Sequence, residues 1–253
     1  MSTELRPGGE VVSMVSLMRH SRSIVLSLIG VVVLATCAAT ASAEDSDLVD
    51  VSKQTVELQK KIDQLRSQGR WAREGKLATS AVCGDPPSAK LFAPWGDPAE
   101  YVPAPEGDLE DASGWDLNDH AQTGNENSPF SEGSHSLFLG EGGEATTPAM
   151  CVSTLHPTIR FFAQNGGAET SRLEIEIIYE DLDGHTKHLK IARLRGTDSW
   201  APSIVVPIYM NMLAAASEDG VTAVALRFRA HDVKSKTAGW RIDDLAVDPW
   251  KDT

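Results

Sequence analysis

The sequence is poor in the features that mark common enzymes and nucleic-acid-binding proteins. It contains no nucleophile elbow, no glycine-rich phosphate loop and no zincin motif. The sequence therefore lacks the signatures of those hydrolase, nucleotide-binding and zinc-protease classes. Basic residues are also scarce, with 23 Lys and Arg against 36 Asp and Glu and a formal net charge of −13. A surface of that sign repels phosphate backbones, which makes nucleic acid and anionic membranes poor partners.

The chain also lacks an apolar run of the roughly 20 residues that a membrane-spanning helix needs. The longest run, residues 24–35, is interrupted only by Ser27 and Gly30 and follows a short basic segment, residues 18–22. The small-x-small site Ala41-Ser42-Ala43 comes next. This order predicts a signal peptide over residues 1–43, with Met14 or Met18 as the alternative start and an uncleaved anchor helix as the alternative structure.

A second export signal overlaps the first. The segment Leu34-Ala35-Thr36-Cys37 resembles the lipobox of bacterial lipoproteins, although Thr36 is a poor fit for the position before the cysteine. The sequence therefore predicts a secreted, extracellular protein, with a lipoprotein anchored at Cys37 as the alternative.

Cysteines number only three, and Cys37 leaves with the signal peptide. Cys83 and Cys151 remain as an even pair in an oxidising compartment, so a disulfide is the simplest interpretation. Such a bond would contribute about 4 kcal/mol in the chain-entropy model before strain is subtracted. A reactive thiol is one alternative; a metal ligand is the other, but the sequence offers no further Cys or His at ligand spacing.

Residues 44–75 carry the strongest helical pattern. Over residues 47–69, apolar positions and one threonine recur at heptad spacing, and a helix of three heptads is marginal in water without a partner. The pattern predicts either a small coiled coil or a helix that packs on its own domain. Self-association would use the apolar members of the seam: Leu48, Val51, Leu58, Ile62 and Leu65, with Thr55 as its weak position.

Residues 76–106 are predicted to form a proline-rich arm. Proline disfavours both helix and central strand, yet large apolar side chains such as Leu91, Phe92, Trp95 and Tyr101 are rare in a free linker. We therefore expect the arm to lie on the folded domain and to be held there at Cys83.

Residues 107–253 are predicted to form an antiparallel β-sandwich. The alternation is clearest where Leu173, Ile175 and Ile177 point inward and Glu174 and Glu176 point outward. Short strands without a helix–strand repeat argue against a parallel α/β sheet. A short helix is expected at residues 209–217. The predicted strands are residues 114–118, 136–139, 158–164, 172–180, 187–194, 203–208, 221–229 and 240–247.

Several of these segments resemble known folds. Gly107-Asp108-Leu109-Glu110, Gly114-Trp115, Ser134-His135-Ser136-Leu137 and the closing run at 240–247 resemble the first and last strands of carbohydrate-binding-module-type jelly rolls. Cys83-Gly84-Asp85-Pro86, the arm, and Met150-Cys151-Val152-Ser153 resemble a family of uncharacterised exported bacterial proteins. The resemblance covers residues 83–249 and implies a galactose-binding-like jelly roll, which is a statement about fold more than about function.

Members of the jelly-roll class often bind sugars, and many hold a structural calcium ion where the first and last strands meet. The resemblance therefore implies Asp108, Glu110, Asp243 and Asp244 as calcium ligands. Calcium takes six to eight oxygen ligands, so carboxylates from both ends of the domain suit it. The alternative is that these acids only cap strand ends in solvent.

Aromatic residues make up only 6% of the chain, whereas sugar-binding modules usually display a platform of exposed aromatic rings. Tryptophans in or beside strand-like runs are expected in the core: these are Trp115, Trp200 and Trp240. The freer candidates for a platform are Trp95, Tyr101 and Trp250, although residues of this kind more often pack than form a platform.

Other candidate catalytic groups have simpler interpretations. His185 and His188 fall in a predicted hairpin turn, where a solvated turn is expected rather than a metal site. His135 and His156 lie near strand starts and are expected to make ordinary hydrogen bonds. Glu174 and Glu176 share one strand face, as a glycosidase pair might, although a solvent-facing strand carries acids without special purpose.

The sequence therefore predicts an exported, non-catalytic module that binds a glycan or a cell-envelope polymer. One alternative is a structural or adhesive envelope protein that assembles through the heptad helix. Another is a carbohydrate-active hydrolase or lyase, which requires Asp243 or Asp244 to meet another carboxylate in a cleft.

Overall fold

The computed structural model describes residues 76–248 except Asp85, Glu218 and Lys236, together with a few residues between 53 and 64. All of them belong to one compact unit, Glu44–Thr253. The predicted signal peptide, Trp250 and the apolar seam of the heptad segment lie outside the described residues; those described between 53 and 64 are helical. Within the described part of the chain, no helix has the length and apolar character needed to cross a bilayer.

The described chain is mainly β-structure. It has one α-helix after residue 75, α1 (Lys76–Ser80), and 3₁₀ segments at Ala93–Trp95 and Met210–Ala215. The strands are β1 (Val102–Pro103), β2 (Asp116–Leu117), β3 (Ala121–Gly124), β4 (Ser136–Leu139), β5 (Glu144–Thr146), β6 (Met150–Ser153), β7 (Thr158–Asn165), β8 (Arg172–Glu180), β9 (Thr186–Leu194), β10 (Ala201–Pro202), β11 (Val206–Pro207), β12 (Val221–His231) and β13 (Trp240–Val247).

These strands form two antiparallel sheets. Sheet I has the order β10-β7-β13-β4-β3, with β1 added beside β13 and β11 beside β7; sheet II has the order β2-β5-β12-β8-β9, with β6 added beside β12. The chain passes between the sheets many times, for example at β4–β5, β7–β8 and β12–β13, so neighbouring strands in a sheet are often distant in sequence. This confirms the predicted antiparallel jelly-roll β-sandwich.

The core lies between the sheets and follows the alternation of β8. Leu173, Ile175 and Ile177 are fully buried, as predicted from the two-residue period. The rings of Phe161 in β7 and Phe228 in β12 meet edge to face at 5.4 Å across this core. Two of the three tryptophans expected in the core are fully or nearly fully buried, Trp115 and Trp240, while Trp200 is partly buried.

Some predicted elements differ from the structure. Residues 203–208 were expected to form one strand, but Arg160 Nε donates to the Ser203 carbonyl, and the chain there pairs with β7 only on either side, as β10 and β11. Residues 209–217 form a 3₁₀ helix at Met210–Ala215. Strands β1, β3, β5, β6 and β10 were not predicted, because two to four residues rarely reveal a two-residue period.

The arm is attached to sheet II at its N-terminal end. The buried carboxylate of Glu180 accepts the backbone N–H groups of Leu77 and Ala78 at 2.6 and 3.3 Å. The predicted disulfide is confirmed: Cys83 is bonded to Cys151 of β6, with their Cα atoms 5.0 Å apart.

Further along, the arm crosses the outer surface of sheet I. Because Phe161 of β7 points into the core, Phe162 points outward, and the arm packs Phe92 and Tyr101 against it. The Tyr101 ring meets Phe92 edge to face at 4.9 Å and is 1% exposed. Tyr101 is therefore a packing residue, in line with the predicted position of the arm on the folded domain, and does not belong to an exposed platform.

Arg160 holds this crossing in place from β7. Its Nη1 lies 2.6 Å from Asp97 Oδ2, and its guanidinium lies over the Phe92 ring, 4.8 Å from the centroid. Tyr101 also donates its hydroxyl to Asp97 Oδ2, at 2.8 Å. Burial raises the pKa of Asp97, but the hydrogen bonds from Tyr101, the Ala99 N–H and Arg160, with the charge of Arg160, outweigh it, so the pKa is lowered overall.

The disulfide is expected to stabilise the fold measurably. Replacing Cys83 and Cys151 together by serine should lower the free energy of unfolding by about 2 to 4 kcal/mol, because the bond joins residues 68 apart in sequence. Urea unfolding followed by circular dichroism measures this. Dithiothreitol should destabilise the wild type but not the double variant; equal midpoints for the two proteins in its absence would contradict the prediction.

The Asp97 contacts make stability depend on pH. Since the pKa of Asp97 is lowered in the folded state, its contribution is present above the ordinary carboxyl pKa and is lost as pH falls through the folded-state value. Asp97→Asn should therefore cost about 1 to 2 kcal/mol at pH 6, and this difference should shrink towards pH 2.5. Thermal melts across that range, with exposed Asp119→Asn as control, measure it; a cost independent of pH would refute the assignment.

Candidate functional site

An exposed aromatic pair lies on the outer surface of sheet I. Trp95 is 38% and Phe130 44% exposed, and their ring centroids are 4.6 Å apart in an edge-to-face arrangement. Both rings rest on buried Phe162, at 5.1 and 5.0 Å. We call Trp95 and Phe130 the aromatic platform. Trp95 was among the predicted candidates, whereas Phe130 was missed because it stands alone between polar residues in a loop.

Acidic residues hold the loop that carries Phe130. Asp243 Oδ2 accepts the Ser128 N–H at 2.8 Å, and Ser128 Oγ accepts the Phe130 N–H at 3.3 Å. At the far end of the loop, Glu110 Oε1 accepts the N–H groups of Ser134 and His135 at 2.7 and 2.8 Å. Two of the four predicted calcium ligands therefore order the loop beside the platform.

A cavity of about 480 Å³ lies next to this region. Its wall includes Leu91, which also packs against the buried aromatic rings under the platform. Three of the four predicted calcium ligands line it, and two further acids join them. We call it the acidic cavity; its carboxylates are Glu106, Asp108, Glu110, Asp111 and Asp244.

The cavity forms where the start of the sandwich meets its last strand. Ala104 donates to the Leu245 carbonyl at 2.9 Å, and Leu245 donates to the Gly107 carbonyl at 2.8 Å. A Cβ at Gly107 would collide with the Leu245 oxygen, so only glycine fits this crossing. Leu109 and Asp244 adopt left-handed φ angles of 56° and 49°. Such backbone conformations cost energy outside glycine and are common at functional sites.

The carboxyl groups here have divergent environments. Backbone hydrogen bonds from Ser134 and His135 lower the pKa of Glu110 to about 2. Burial raises the pKa of Asp244, the nearby Ser131 hydroxyl opposes this, and the charges of Asp108 and Glu110 raise the pKa further. Asp244 Oδ2 is buried, and among the described residues no hydrogen bond of normal geometry reaches it. An unpaired carboxylate oxygen in an acidic cavity is the feature that a cation would satisfy.

Asp243 differs from the other three predicted ligands. It is completely buried and does not line the cavity. Its Oδ2 accepts the Ser128 N–H and its Oδ1 accepts the Asp244 N–H. Burial nevertheless raises its pKa to about 7. Asp243 therefore holds the loop through its carboxylate oxygens, and its role as a calcium ligand stays a prediction.

A tighter acidic group lies elsewhere. Among the described residues, one set of three potential ligands has its ligand atoms within 4.8 Å of one another, namely Asp181, Asp183 and His185 in the β8–β9 turn. Asp181 Oδ1 accepts the N–H groups of Asp183 and His185, and Lys187 Nζ lies 3.7 Å from Oδ2. These contacts are those of an ordinary hairpin turn, which is where His185 was expected.

The other histidines and the strand-face glutamates also have structural partners. His156 is buried, accepts the Ser153 N–H at 2.9 Å, and has its pKa lowered by burial. His135 Nδ1 lies 3.2 Å from Glu110 Oε2. Glu174 and Glu176 lie on the outer surface of sheet II in ion pairs with Lys190 and Arg227, and neither lines the acidic cavity.

No protein-family model matches the chain, and no curated protein matches it. Solved structures with a similar fold include bacteriophage CBA120 tailspike protein 4 (17% identity, TM-score 0.38, covering 57% of this chain but 21% of that one). Others are the CBM22-1 xylan-binding domain of Paenibacillus barcinonensis Xyn10C (15%, 0.38, 58% and 94%) and TmCBM61 with β-1,4-galactotriose (13%, 0.34, 57% and 95%). The similarity to these structures is one of fold alone, and it says nothing about the residues of the candidate site.

Proposed function

We propose that the protein is an exported, non-catalytic module that binds a glycan or cell-envelope polymer on the aromatic platform. The observation that carries this is the exposure of Trp95 and Phe130 side by side on an ordered surface. Paired exposed aromatic rings are unusual on a protein with few aromatics, and exposed apolar surface commonly marks a binding site.

The chemistry of the platform suits a sugar. One face of a pyranose ring presents C–H groups, which pack against an aromatic ring and exclude water from both surfaces. Packing of the fold already uses Phe92, Tyr101 and Phe162, which are almost completely buried beneath the pair. Trp95 and Phe130 therefore contribute surface beyond what the core requires.

The platform is also held before any ligand arrives. Trp95 follows Phe92 on an arm fixed by the Arg160–Asp97 ion pair, and Phe130 sits in a loop fixed by Asp243 and Glu110. Prior ordering reduces the entropy lost on binding, so a small contact area suffices for useful affinity. By contrast, the oligomeric envelope alternative relies on the heptad seam, which lies outside the described residues.

Removing either ring should weaken binding. Purified residues 44–253 are incubated with insoluble polysaccharides and cell-wall preparations, and the retained protein is measured as a function of concentration. For a polymer that retains the wild type, Trp95→Ala and Phe130→Ala should each raise the dissociation constant about tenfold, equivalent to about 1.4 kcal/mol. Leu155→Ala, which truncates another exposed apolar side chain, is the control. Unchanged retention in both platform variants would rule out the platform.

We also propose that Asp108, Glu110 and Asp244 hold a structural calcium ion in the acidic cavity. The support is the unpartnered Asp244 oxygen among like charges at the junction of the first and last strands. Calcium would supply positive charge and accept oxygen ligands there. Because Glu110 also anchors the Phe130 loop, an ion bound to Glu110 would stabilise the loop that carries one ring of the platform.

Calcium should therefore raise the melting temperature of the wild type, with a stabilisation of about 2.7 kcal/mol at one hundred times the dissociation constant. Asp244→Asn should abolish the rise, since it removes the charge on the unpartnered group. Asp183→Asn, in the acidic β8–β9 turn, is the matched control and should keep it. Thermal melts with calcium and with chelator decide the matter; loss of the rise in Asp183→Asn would place the ion at the turn instead.

A second candidate function is hydrolysis of a glycosidic bond in the acidic cavity. Glu110 is strongly ionised while burial favours protonated Asp244, and a pair of carboxyl groups with separated pKa values is what acid-assisted glycoside cleavage uses. The two ideas place opposite demands on Asp244, since a calcium ligand is ionised and a general acid is protonated. Release of soluble sugar in the presence of chelator would favour hydrolysis.

A further inference from the structure

The outer surface of sheet II is covered by rows of alternating charge. One row runs across four strands from Glu144 through Arg229 and Glu174 to Arg193, as the strand register shows. Arg229 Nε lies 2.7 Å from Glu144 Oε2, and Lys190 Nζ lies 2.7 Å from Glu174 Oε2. The centre of this surface therefore neutralises its own charge, and no ligand is needed to explain it.

At one end of the same surface, cations gather. Arg172 begins β8 opposite His231, and the β8–β9 pairing ends where Leu173 meets Leu194, which brings Arg195 and Arg193 beside Arg172. Arg193 and Arg195 are exposed and Arg172 is partly buried. We call Arg172, Arg193 and Arg195 the arginine corner.

The electrostatics of the corner are those of like charges held together. Burial lowers the pKa of Arg172, and the charges of Arg195 and Arg193 lower it further; among nearby acids, Asp232 opposes this. His231 Nε2 adds another basic group, 3.8 Å from Glu174 Oε2. On a protein with net charge −13, this local repulsion is the reverse of what the composition leads one to expect.

The corner is also ordered. Arg172 Nη1 donates to the carbonyl oxygens of Glu169 and Ser171 at 2.9 and 2.7 Å, which fixes the plane of its guanidinium. A guanidinium carries five donors in a rigid fork that matches both oxygens of a carboxylate. Neighbouring guanidinium groups on a flat sheet surface thus suit a ligand that brings planar anions.

We propose that the arginine corner binds the carboxylate groups of an acidic polysaccharide, one built from uronic acid sugars. Charge complementarity selects an anion, and the centre of sheet II, whose charges pair with one another, offers that anion no net attraction. Duplex nucleic acid, with one phosphate per about 1.7 Å of axis, is too densely charged for so acidic a protein. The choice of a polysaccharide over a peptide as the carrier of the anion rests on the proposed function. The choice of a carboxylate as the anion rests on the arginine corner alone.

The corner lies on the sheet opposite the aromatic platform, so the two sites can be tested separately. Isothermal titration of the protein with polygalacturonate, and with the same polymer after its carboxyl groups have been reduced to alcohols, measures the anion requirement. The reduced polymer should bind at least tenfold more weakly. Poly-glutamate, which carries carboxylates on a peptide, should also bind more weakly than polygalacturonate.

Matched charge variants locate the contact. Arg195→Gln should weaken polygalacturonate binding at least fivefold, whereas Lys187→Gln, the same charge change near the other end of β9, should weaken it less than twofold. Equal loss in both variants, equal binding of the reduced polymer, or equal binding of poly-glutamate overturns the proposal. Leu155→Ala, which truncates an exposed apolar side chain outside both sites, should leave this binding unchanged. If neutral polymers fail to bind while polygalacturonate binds through Arg195, the platform function fails and the corner stands.

Discussion

The ion pair between Arg160 and Asp97 is the contact on which the exposed aromatic surface depends. Arg160 projects outward from β7, beside Phe162, and its guanidinium both pairs with Asp97 and covers the Phe92 ring. Both side chains are largely buried, so their charges must compensate each other. Without this pair, the arm would retain the disulfide and the Glu180 contact near its N-terminal end, but only ring packing on Phe162 would place Trp95 over sheet I.

A second constraint acts where the first and last strands meet. Asp243 and Asp244 are adjacent in β13, yet one serves the loop and the other faces the cavity, because the pairing of β13 with β7 is irregular between Asp243 and Ala246. Burial raises the pKa of both groups. The fold thus buries two carboxyl groups, at a cost in free energy, at the point that orders the Phe130 loop. A bound cation or proton would offset that cost by removing the unfavourable charge.

The sequence was most informative where a pattern is long. The nine residues of β8 show their two-residue period plainly, and the buried residues Leu173, Ile175 and Ile177 follow it. Short strands such as β5 have no period to detect and exist because β12 offers them hydrogen bonds. The sequence predicts that Tyr101 packs with the arm on the domain, but nothing local indicates that Asp97 binds its hydroxyl. Phe130 was missed because its exposure depends on contacts with Asp243, which lies in the last strand.

Net charge is a second property of the sequence that does not show where a site lies. Net charge describes the far field of a protein, and a value of −13 argues against a dense polyanion such as nucleic acid. It cannot show that the register of β8 and β9 gathers Arg172, Arg193 and Arg195 at one end of sheet II. A sparsely charged polymer approaching that end meets positive charge at short range, where the surrounding acids are partly screened by salt and partly neutralised by Arg229 and Lys190. Selectivity for charge density then follows from the arrangement of these residues and not from their number.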